Sequence, residues 1–457
     1  MIKFLPLGCA GEIGANSYYL NIDGTGILLD CGMHPRKSGA EALPNFNLIR
    51  DEPLDFAIIS HAHHDHIGAL QELVRQFPHV QIIMTKQTRE IASLTLPDSA
   101  VIKYERAGSL DKPLEEVYND ISRLVESIRF NPYNEPFYLE GIRHYGRESI
   151  QIEFFPAGHI LGSAFTFITN GEVTIAYTGD VNLGNQALIQ GAEFHDRTVD
   201  TLIIECTLGS TEQSQVSDWN DEVGRFGKTI QKILSDGTSI LIPVFAVGKF
   251  QEILAILYHL MIKGRIPHTP IYTGGIARKI SQLYDVNRYV VPRIDKEFLL
   301  SEIPQQQLNE VERVEKLFQN QCIVIASSGM MIEGTTSFKL VRRWLRQKNA
   351  AICVVGYMDP ETPGYKVAHA KRGEFVKLSE LIEPIKVECT IEEFRFTAHS
   401  RLDGLLKIVE RLKAKRVVLV HGDEAAIDRM GYEILKSFPK MKVHSAEIGK
   451  EIVISSQ

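Results

Sequence analysis

The chain is poor in cysteine, and its cysteines are scattered. Its 457 residues include 6 cysteines, and no two of them form a CxxC pair. This pattern excludes a disulfide framework and a thiolate zinc site, and it is typical of a reducing compartment. Any metal ion that the protein binds must therefore be held by nitrogen and oxygen ligands.

Long hydrophobic runs and an excess of basic charge are also missing. No apolar stretch approaches the roughly 20 residues that cross a bilayer, and the N-terminal MIKFLPLGCAGEIG lacks the apolar core of a secretory signal. We therefore expect a cytoplasmic protein without membrane contact. The net charge of −7 gives no global basic footprint for nucleic acid. A polyanionic substrate would need a local patch or bound metal ions.

The order of patterns along the chain predicts more than one domain. Residues 1 to about 85 consist of short strand-like runs, and the apolar spacing of three and four in residues 110–128 predicts a helix. From about 220 to 390, apolar runs alternate with amphipathic helical patterns, which is typical of a parallel α/β unit. We place boundaries near 207 and 394, and the tail is available to rejoin the first domain.

The most unusual stretch is HAHHDH, His61 to His66, which directly follows an apolar run. The whole chain has 15 histidines, and four of them fall within these six positions. Ligands on a helix would be spaced at i and i+4, so this spacing indicates a loop that aims His61 and His63 at one ion. Asp65 and His66 would then face a second ion.

Polar residues also follow other strand-like runs. Because sites in layered α/β folds gather at the carboxyl ends of strands, these residues are expected to meet. They are Asp30, His159, Asp180, Glu205 and His421. His159 would complete the first metal site, His421 the second, and Asp180 would bridge them.

These motifs resemble a known family. HxHxDH, together with Asp30 in ILLDCGMHP, His159 in AGHILGSA and Asp180 in YTGDVN, is similar to the signature of the metallo-β-lactamase superfamily. The middle of the chain resembles the β-CASP domain of its nucleases, including those that process pre-mRNA 3′ ends and their compact bacterial and archaeal relatives. That likeness rests on PVFAVGKFQEIL, ASSGMMIEGTTS, Glu205 in IIECT, His399 in FTAHSRLDG and His421 in VLVHGD.

The resemblance implies an α/β fold, an αββα metallo-β-lactamase sandwich with an inserted β-CASP parallel α/β domain. Residues 1–206 and 395–457 would form the sandwich and residues 207–394 the insertion. It also implies two Zn²⁺ ions per chain. Their ligands would be His61, His63, Asp65, His66, His159, Asp180 and His421.

The resemblance also assigns roles in catalysis. A hydroxide between the two metals would attack phosphorus, with Asp65 among the catalytic ligands. His399, oriented by Glu205, would be the general acid for the leaving oxygen. Asp30 would orient a histidine ligand without binding metal itself. His64 is expected not to be a ligand, and His34 is ambiguous between loop packing and the site.

Ser327, Ser328 and Gly329 in SSGMMIEGTTS are candidates for binding a substrate phosphate, because this segment joins a strand to a predicted helix whose backbone N–H groups could hold an anion. A tight turn without a ligand is the alternative. The groove motifs depart from the family pattern at Leu208, Pro363, Tyr365 and Thr397, which leaves the substrate preference less constrained than the activity.

We therefore expect a zinc-dependent ribonuclease that hydrolyses single-stranded RNA, as an endonuclease, a 5′-exonuclease or both. The resemblance favours RNA over DNA, because position 421 is histidine, as it tends to be in the RNA-processing members of the family. The alternatives are a DNA nuclease, a hydrolase of small substrates on the same metal core, and an RNA-binding scaffold. The oligomeric state is left open, with a homodimer as one option.

Overall fold

The computed structural model describes residues 2–107, 113–142, 149–212, 218–311 and 313–454. The strands, in chain order, are β1 (Ile2–Pro6), β2 (Tyr18–Ile22), β3 (Thr25–Leu29), β4 (Phe56–Ile58), β5 (Gln81–Met84), β6 (Arg129–Phe130), β7 (Phe137–Leu139), β8 (Ile150–Pro156), β9 (Ala164–Thr169), β10 (Thr174–Tyr177), β11 (Thr201–Glu205), β12 (Ser239–Pro243), β13 (Ile271–Thr273), β14 (Gln306–Gln307), β15 (Ile323–Ala326), β16 (Ala350–Val355), β17 (Phe375–Val376), β18 (Ile385–Lys386), β19 (Thr390–Phe394), β20 (Arg416–Val420), β21 (Lys442–Ser445) and β22 (Ile452–Ile454).

The helices are α1 (His64–Ile67), α2 (Leu70–Gln76), α3 (Lys86–Ala107), α4 (Leu114–Ser127), α5 (Trp219–Ser235), α6 (Lys249–Ile262), α7 (Ile276–Val286), α8 (Thr336–Trp344), α9 (Pro363–Ala368), α10 (Leu402–Leu412) and α11 (Glu424–Ser437). The helix predicted over 110–128 corresponds to α4, and residues 108–112 lie outside the described residues. Among the described residues, no helix is both long and apolar enough to cross a bilayer.

Two seven-stranded sheets form the sandwich. The first has the order β22-β1-β2-β3-β4-β5-β6 and the second β21-β20-β11-β10-β9-β8-β7. Side chains alternate across them as the two-residue period of a strand requires. In β4, Phe56 and Ile58 point into the core between the sheets, whereas Ala57 packs on the outer side. Helices α2, α3 and α4 cover the first sheet and α10 and α11 the second.

The last part of the chain returns to the sandwich. Strand β22 pairs antiparallel with β1, and β20 pairs parallel with β11. This pairing carries His421, which directly follows β20, to the end of β11 where Glu205 lies.

A third sheet has the order β14-β13-β15-β12-β16-β19, and its strand pairs are parallel. Helices α5, α6 and α7 pack on one face and α8 on the other. The predicted α/β fold class, an αββα sandwich with an inserted parallel α/β unit, is confirmed. The domain boundaries at 206/207 and 394/395 remain a prediction.

Candidate metal centre and proton-transfer pair

The HAHHDH stretch changes from extended chain to helix in its middle. Strand β4 ends at Ile58, and α1 begins at His64, so His61 and His63 lie on the connection and Asp65 and His66 on the first helical turn. Gly32 packs directly against this turn, where a Cβ atom would lie 1.5 Å from the carbonyl oxygen of Asp65. Only a residue without a side chain permits that approach.

The first ligand group consists of three imidazole nitrogens and one carboxylate oxygen. Nδ1 of His63 lies 3.1 Å from Nε2 of His61 and 3.1 Å from Nε2 of His159. Oδ2 of Asp180 lies 3.5 Å from the His61 nitrogen and 3.6 Å from that of His159. These four atoms face one another at the carboxyl ends of the sandwich strands.

The second group lies beside the first. Nε2 of His66 is 3.6 Å from Oδ2 of Asp65 and 3.4 Å from Oδ2 of Asp180. Nε2 of His421 is 3.5 Å from the same Asp65 oxygen, while its Nδ1 lies 3.0 Å from Oδ1 of Asp180. Because Oδ2 of Asp180 lies within 3.6 Å of ligand nitrogens from both groups, it is placed to bridge two ions.

The donor set fits zinc. Tetrahedral ligands at a Zn–N distance of about 2.0–2.1 Å lie about 3.3–3.4 Å apart, and the separations within both groups fall around that value. Nε2 of His421 is buried and has no hydrogen-bond partner among the described residues. A metal ion would satisfy this nitrogen.

The two groups differ in their proton affinity. Burial holds the pKa values of His61 and His159 well below the ordinary value, and that of His63 is lowered for the same reason. Burial acts on His66 and His421 too, but there Asp180 and other acidic neighbours outweigh it and raise both pKa values well above the ordinary one. In the metal-free site, the imidazoles of the first group therefore favour the neutral form and those of the second the protonated form.

Asp30 supports the second group from behind. Its Oδ2 lies 2.7 Å from Nδ1 of His66 and accepts hydrogen bonds from the hydroxyls of Ser60 and Tyr177. This contact fixes which nitrogen of His66 faces the site. Asp30 is fully buried and does not belong to either ligand group.

Three further side chains, not predicted from the sequence, contact ligand histidines or Asp30. Nδ2 of Asn16 lies 3.0 Å from Nε2 of His66, and the Thr207 hydroxyl lies 3.0 Å from Nδ1 of His421. Tyr177 is the third, through its bond to Asp30. Thr207 could have been noticed two positions after Glu205, whereas nothing in the sequence around Asn16 indicates a site.

Glu205 and His399 form a pair next to the ligands. Nδ1 of His399 lies 3.0 and 3.1 Å from the two oxygens of Glu205, and backbone N–H groups of Val181 and Thr207 donate to the same carboxylate. Burial disfavours a charged His399, but Glu205 outweighs it and raises the pKa of the ring. A third possible metal-binding group combines Asp180, Glu205 and His399. The direct hydrogen bond explains that cluster without an ion.

Two other histidines noted in the sequence, His64 and His34, do not belong to the ligand groups. His64 is exposed and belongs to neither ligand group. His34 is buried in its own loop, where its Nδ1 accepts from the N–H groups of Arg36 and Lys37.

The phosphate candidates lie just after β15, in the segment that joins this strand to α8. Helix α8 begins at Thr336, ten residues beyond the end of β15, and Thr335 is its capping residue. The carbonyl of Ser328 accepts from Ser337, and its hydroxyl accepts from the Ile332 N–H. Ser328 lines the cleft. The Ser337 N–H also donates to the carbonyl of Ser327, so the segment packs against the first turn of α8. The role of these residues in phosphate binding remains a prediction.

A cleft of about 2370 Å³ runs over the ligand groups. The sandwich contributes one wall, and the inserted unit contributes the other through residues such as Phe245, Lys249, Ser328 and Tyr357. His63 links the two walls, because its Nε2 lies 3.4 Å from the carbonyl oxygen of Val247. The cleft can hold an extended polymer above the site.

Comparison with known proteins gives three family matches along the chain. Residues 10–186 match the metallo-beta-lactamase superfamily, residues 250–367 the Beta-Casp domain, and residues 384–444 the Zn-dependent metallo-hydrolase RNA specificity domain. A crystal structure of a protein of unknown function from Enterococcus faecalis V583 has a TM-score of 0.56 and 14% identity, and the match covers 99% of each chain. That similarity bears on the fold alone.

Curated relatives cover nearly the whole chain. It is 28% identical to cleavage and polyadenylation specificity factor subunit 3 of Dictyostelium discoideum, 27% to transcription termination factor FttA of Cenarchaeum symbiosum and 25% to Integrator complex subunit 11 of Gallus gallus. These matches take in 97%, 99% and 96% of the chain, which spans 56%, 70% and 71% of the length of the respective relatives. With its ligand groups and inserted parallel sheet, the chain belongs to the β-CASP family of the metallo-β-lactamase superfamily.

Proposed function

We propose that the protein is a zinc-dependent ribonuclease that hydrolyses phosphodiester bonds of single-stranded RNA. The observation that carries this proposal is the position of Asp180 Oδ2, which lies 3.4–3.6 Å from nitrogens of His61, His66 and His159 and so connects the two ligand groups. His399, which pairs with Glu205, lines the same cleft. Two bound zinc ions would supply Lewis acidity toward the phosphoryl group and lower the pKa of water.

The chain's own residues would manage the proton of the leaving oxygen. Glu205 occupies Nδ1 of His399, so the proton to be donated is on Nε2. The raised pKa of His399 favours the protonated ring that a general acid needs. Hydrogen bonds from Val181 and Thr207 hold the carboxylate in place, so the imidazole is oriented before substrate arrives.

Three observations support RNA as the polymer. Residues 384–444 match an RNA specificity domain, position 421 is histidine, and the cleft between sandwich and insertion has a volume of about 2370 Å³. We include a cytoplasmic location in the proposal, since the six cysteines are buried and free of disulfides. A homodimer, the option left open by the sequence, remains untested.

The test combines metal analysis with cleavage of 5′-labelled single-stranded RNA and DNA. Wild-type protein should hold two zinc equivalents and cleave RNA faster than DNA, and Asp65→Ala should lose the second metal and the activity. His64→Ala is the matched control, because His64 is the neighbouring exposed residue outside both groups. If Asp65→Ala cleaves like wild type, the two-metal proposal fails. Equal or faster cleavage of DNA would contradict the RNA preference alone.

A further inference from the structure

One exposed aromatic side chain on the cleft wall has no role in the site described so far. Among the exposed aromatic residues that the structure describes, Tyr357 is the one that lines the cleft, with 48% of its surface accessible. The others lie outside the cleft lining: Tyr118, Phe130, Tyr138, Tyr289, Phe375 and Tyr432. An exposed ring facing a substrate channel calls for a ligand with an aromatic face.

The backbone around Tyr357 is held in place. Strand β16 ends at Val355, and Gly356 turns the chain with a φ of 86° that favours glycine. The next residue after Tyr357, Met358, is buried. Asp359 then pairs with Arg36 of the sandwich at 3.2 Å. The ring of Tyr357 is therefore presented from an anchored loop at the carboxyl end of β16, the parallel strand next to the edge of its sheet.

Tyr357 lines the same cleft as the second ligand group, because the cleft wall includes both Tyr357 and His421. The residue before it also lies close to the segment that carries His399, since a Cβ atom at Gly356 would be 3.7 Å from the carbonyl oxygen of Phe396. A nucleotide that extends along the cleft from the metal centre can therefore meet the Tyr357 ring.

We infer that Tyr357 is a stacking platform for an unpaired RNA base beside the metal centre. Stacking on an aromatic ring accepts any base, because every base has a π face, and it excludes a base that is paired in a duplex. The inference rests on the proposed function and deepens it. It assigns the preference for single strands to a particular side chain of the inserted unit.

The first experiment compares Tyr357→Leu with Tyr357→Phe on labelled single-stranded RNA. Leucine should raise KM about tenfold with little change in kcat, since one stacked base contributes on the order of a tenfold change in affinity. Phenylalanine keeps the ring and should behave like wild type. Tyr138→Leu is the matched control, because Tyr138 is 56% exposed but lies outside the cleft. If phenylalanine is as defective as leucine, the hydroxyl matters and stacking is contradicted.

The second experiment moves a single abasic nucleotide along the RNA. At one position near the cleaved bond, the missing base should weaken wild-type binding about tenfold and leave Tyr357→Leu unaffected. Binding is measured by fluorescence anisotropy in the His399→Ala background, so the result does not depend on cleavage. Equal sensitivity of both proteins at every position would overturn the inference. RNA that binds but is never cleaved by the parent protein would instead sink the proposed function.

Discussion

The two ligand groups of the metal centre lie side by side and share a carboxylate, yet they are built differently. The first contains three histidines against one aspartate, and burial keeps those imidazoles neutral. The second contains two histidines next to carboxylates, which raise the pKa values of both imidazoles when metal is absent. The first group is thus ready for a cation at neutral pH. The second must exchange protons for its ion, because zinc binds the neutral imidazole.

The largest effect is expected from Asp180→Ala, which removes the oxygen common to both groups. We expect loss of both metals and of measurable cleavage, because Oδ2 of Asp180 lies 3.4–3.6 Å from the facing nitrogens of His61, His66 and His159. Zinc content by elemental analysis and RNA cleavage check this. Asp200→Ala is the control, a carboxylate that binds Lys415 and the Thr174 N–H at the opposite end of β11. Full retention of one zinc would show that the groups are independent.

The next effect separates proton transfer from metal binding. His399→Ala should slow RNA cleavage by about 10²- to 10⁴-fold, the usual contribution of a general acid, while both zinc ions stay bound. Zinc content and single-turnover rates are measured together. His195→Ala is a matched control, since His195 is exposed and packs against Phe155 away from the ligands. Loss of zinc in His399→Ala would contradict this prediction and would indicate that His399 is a metal ligand.

A smaller effect is expected in the second group alone from Asp30→Asn. The amide keeps the shape of the side chain but is a weaker hydrogen-bond acceptor for the Nδ1–H of His66. Loss of such a hydrogen bond typically lowers metal affinity by about 10- to 100-fold. Competition with a chromophoric chelator should show one weakened zinc and one unchanged. Asp55→Asn is the control, because Asp55 is also a buried carboxylate but accepts hydrogen bonds from the N–H groups of Gly26 and Ile142. Equal weakening of both ions would contradict the assignment of Asp30 to the second group.

Much of this centre could be predicted because local sequence spacing fixes it. The step from β4 to α1 lies within one short stretch, so HAHHDH itself divides His61 and His63 from Asp65 and His66. The alternating side chains of the strands likewise predict the layers of the sandwich. His421 was expected at the site because it follows a strand, whereas the pairing of Glu205 with His399 came from the family resemblance. Only the folded chain brings these distant segments together, through the return of β20 to β11.

What could not be predicted depends on packing between segments. Asn16 approaches His66 because the loop after β1 crosses the α1 turn, where its N–H bonds to the Asp65 carbonyl. The segment around Ser327 and Ser328 is a related case. The sequence predicts the strand and the helix that this segment joins, but only packing brings these two residues against Ser337 in the first turn of α8. Anion binding there remains a prediction.

The smallest perturbation, a change of pH, should distinguish the two groups without any substitution. The raised pKa values of His66 and His421 mean that both are protonated below those values in the metal-free site, so two protons oppose the second zinc. Its affinity should fall by up to about a hundredfold per pH unit. The lowered pKa values of His61 and His159 leave the first zinc insensitive until the pH passes below them, well under the ordinary value of about 6.5. Zinc content after dialysis at successive pH values from about 8 to 5 should therefore drop from two equivalents to one before it reaches zero. Simultaneous loss of both ions would contradict this prediction. It would mean that binding at the two sites is coupled through Asp180, and that this coupling outweighs the difference in their histidine pKa values.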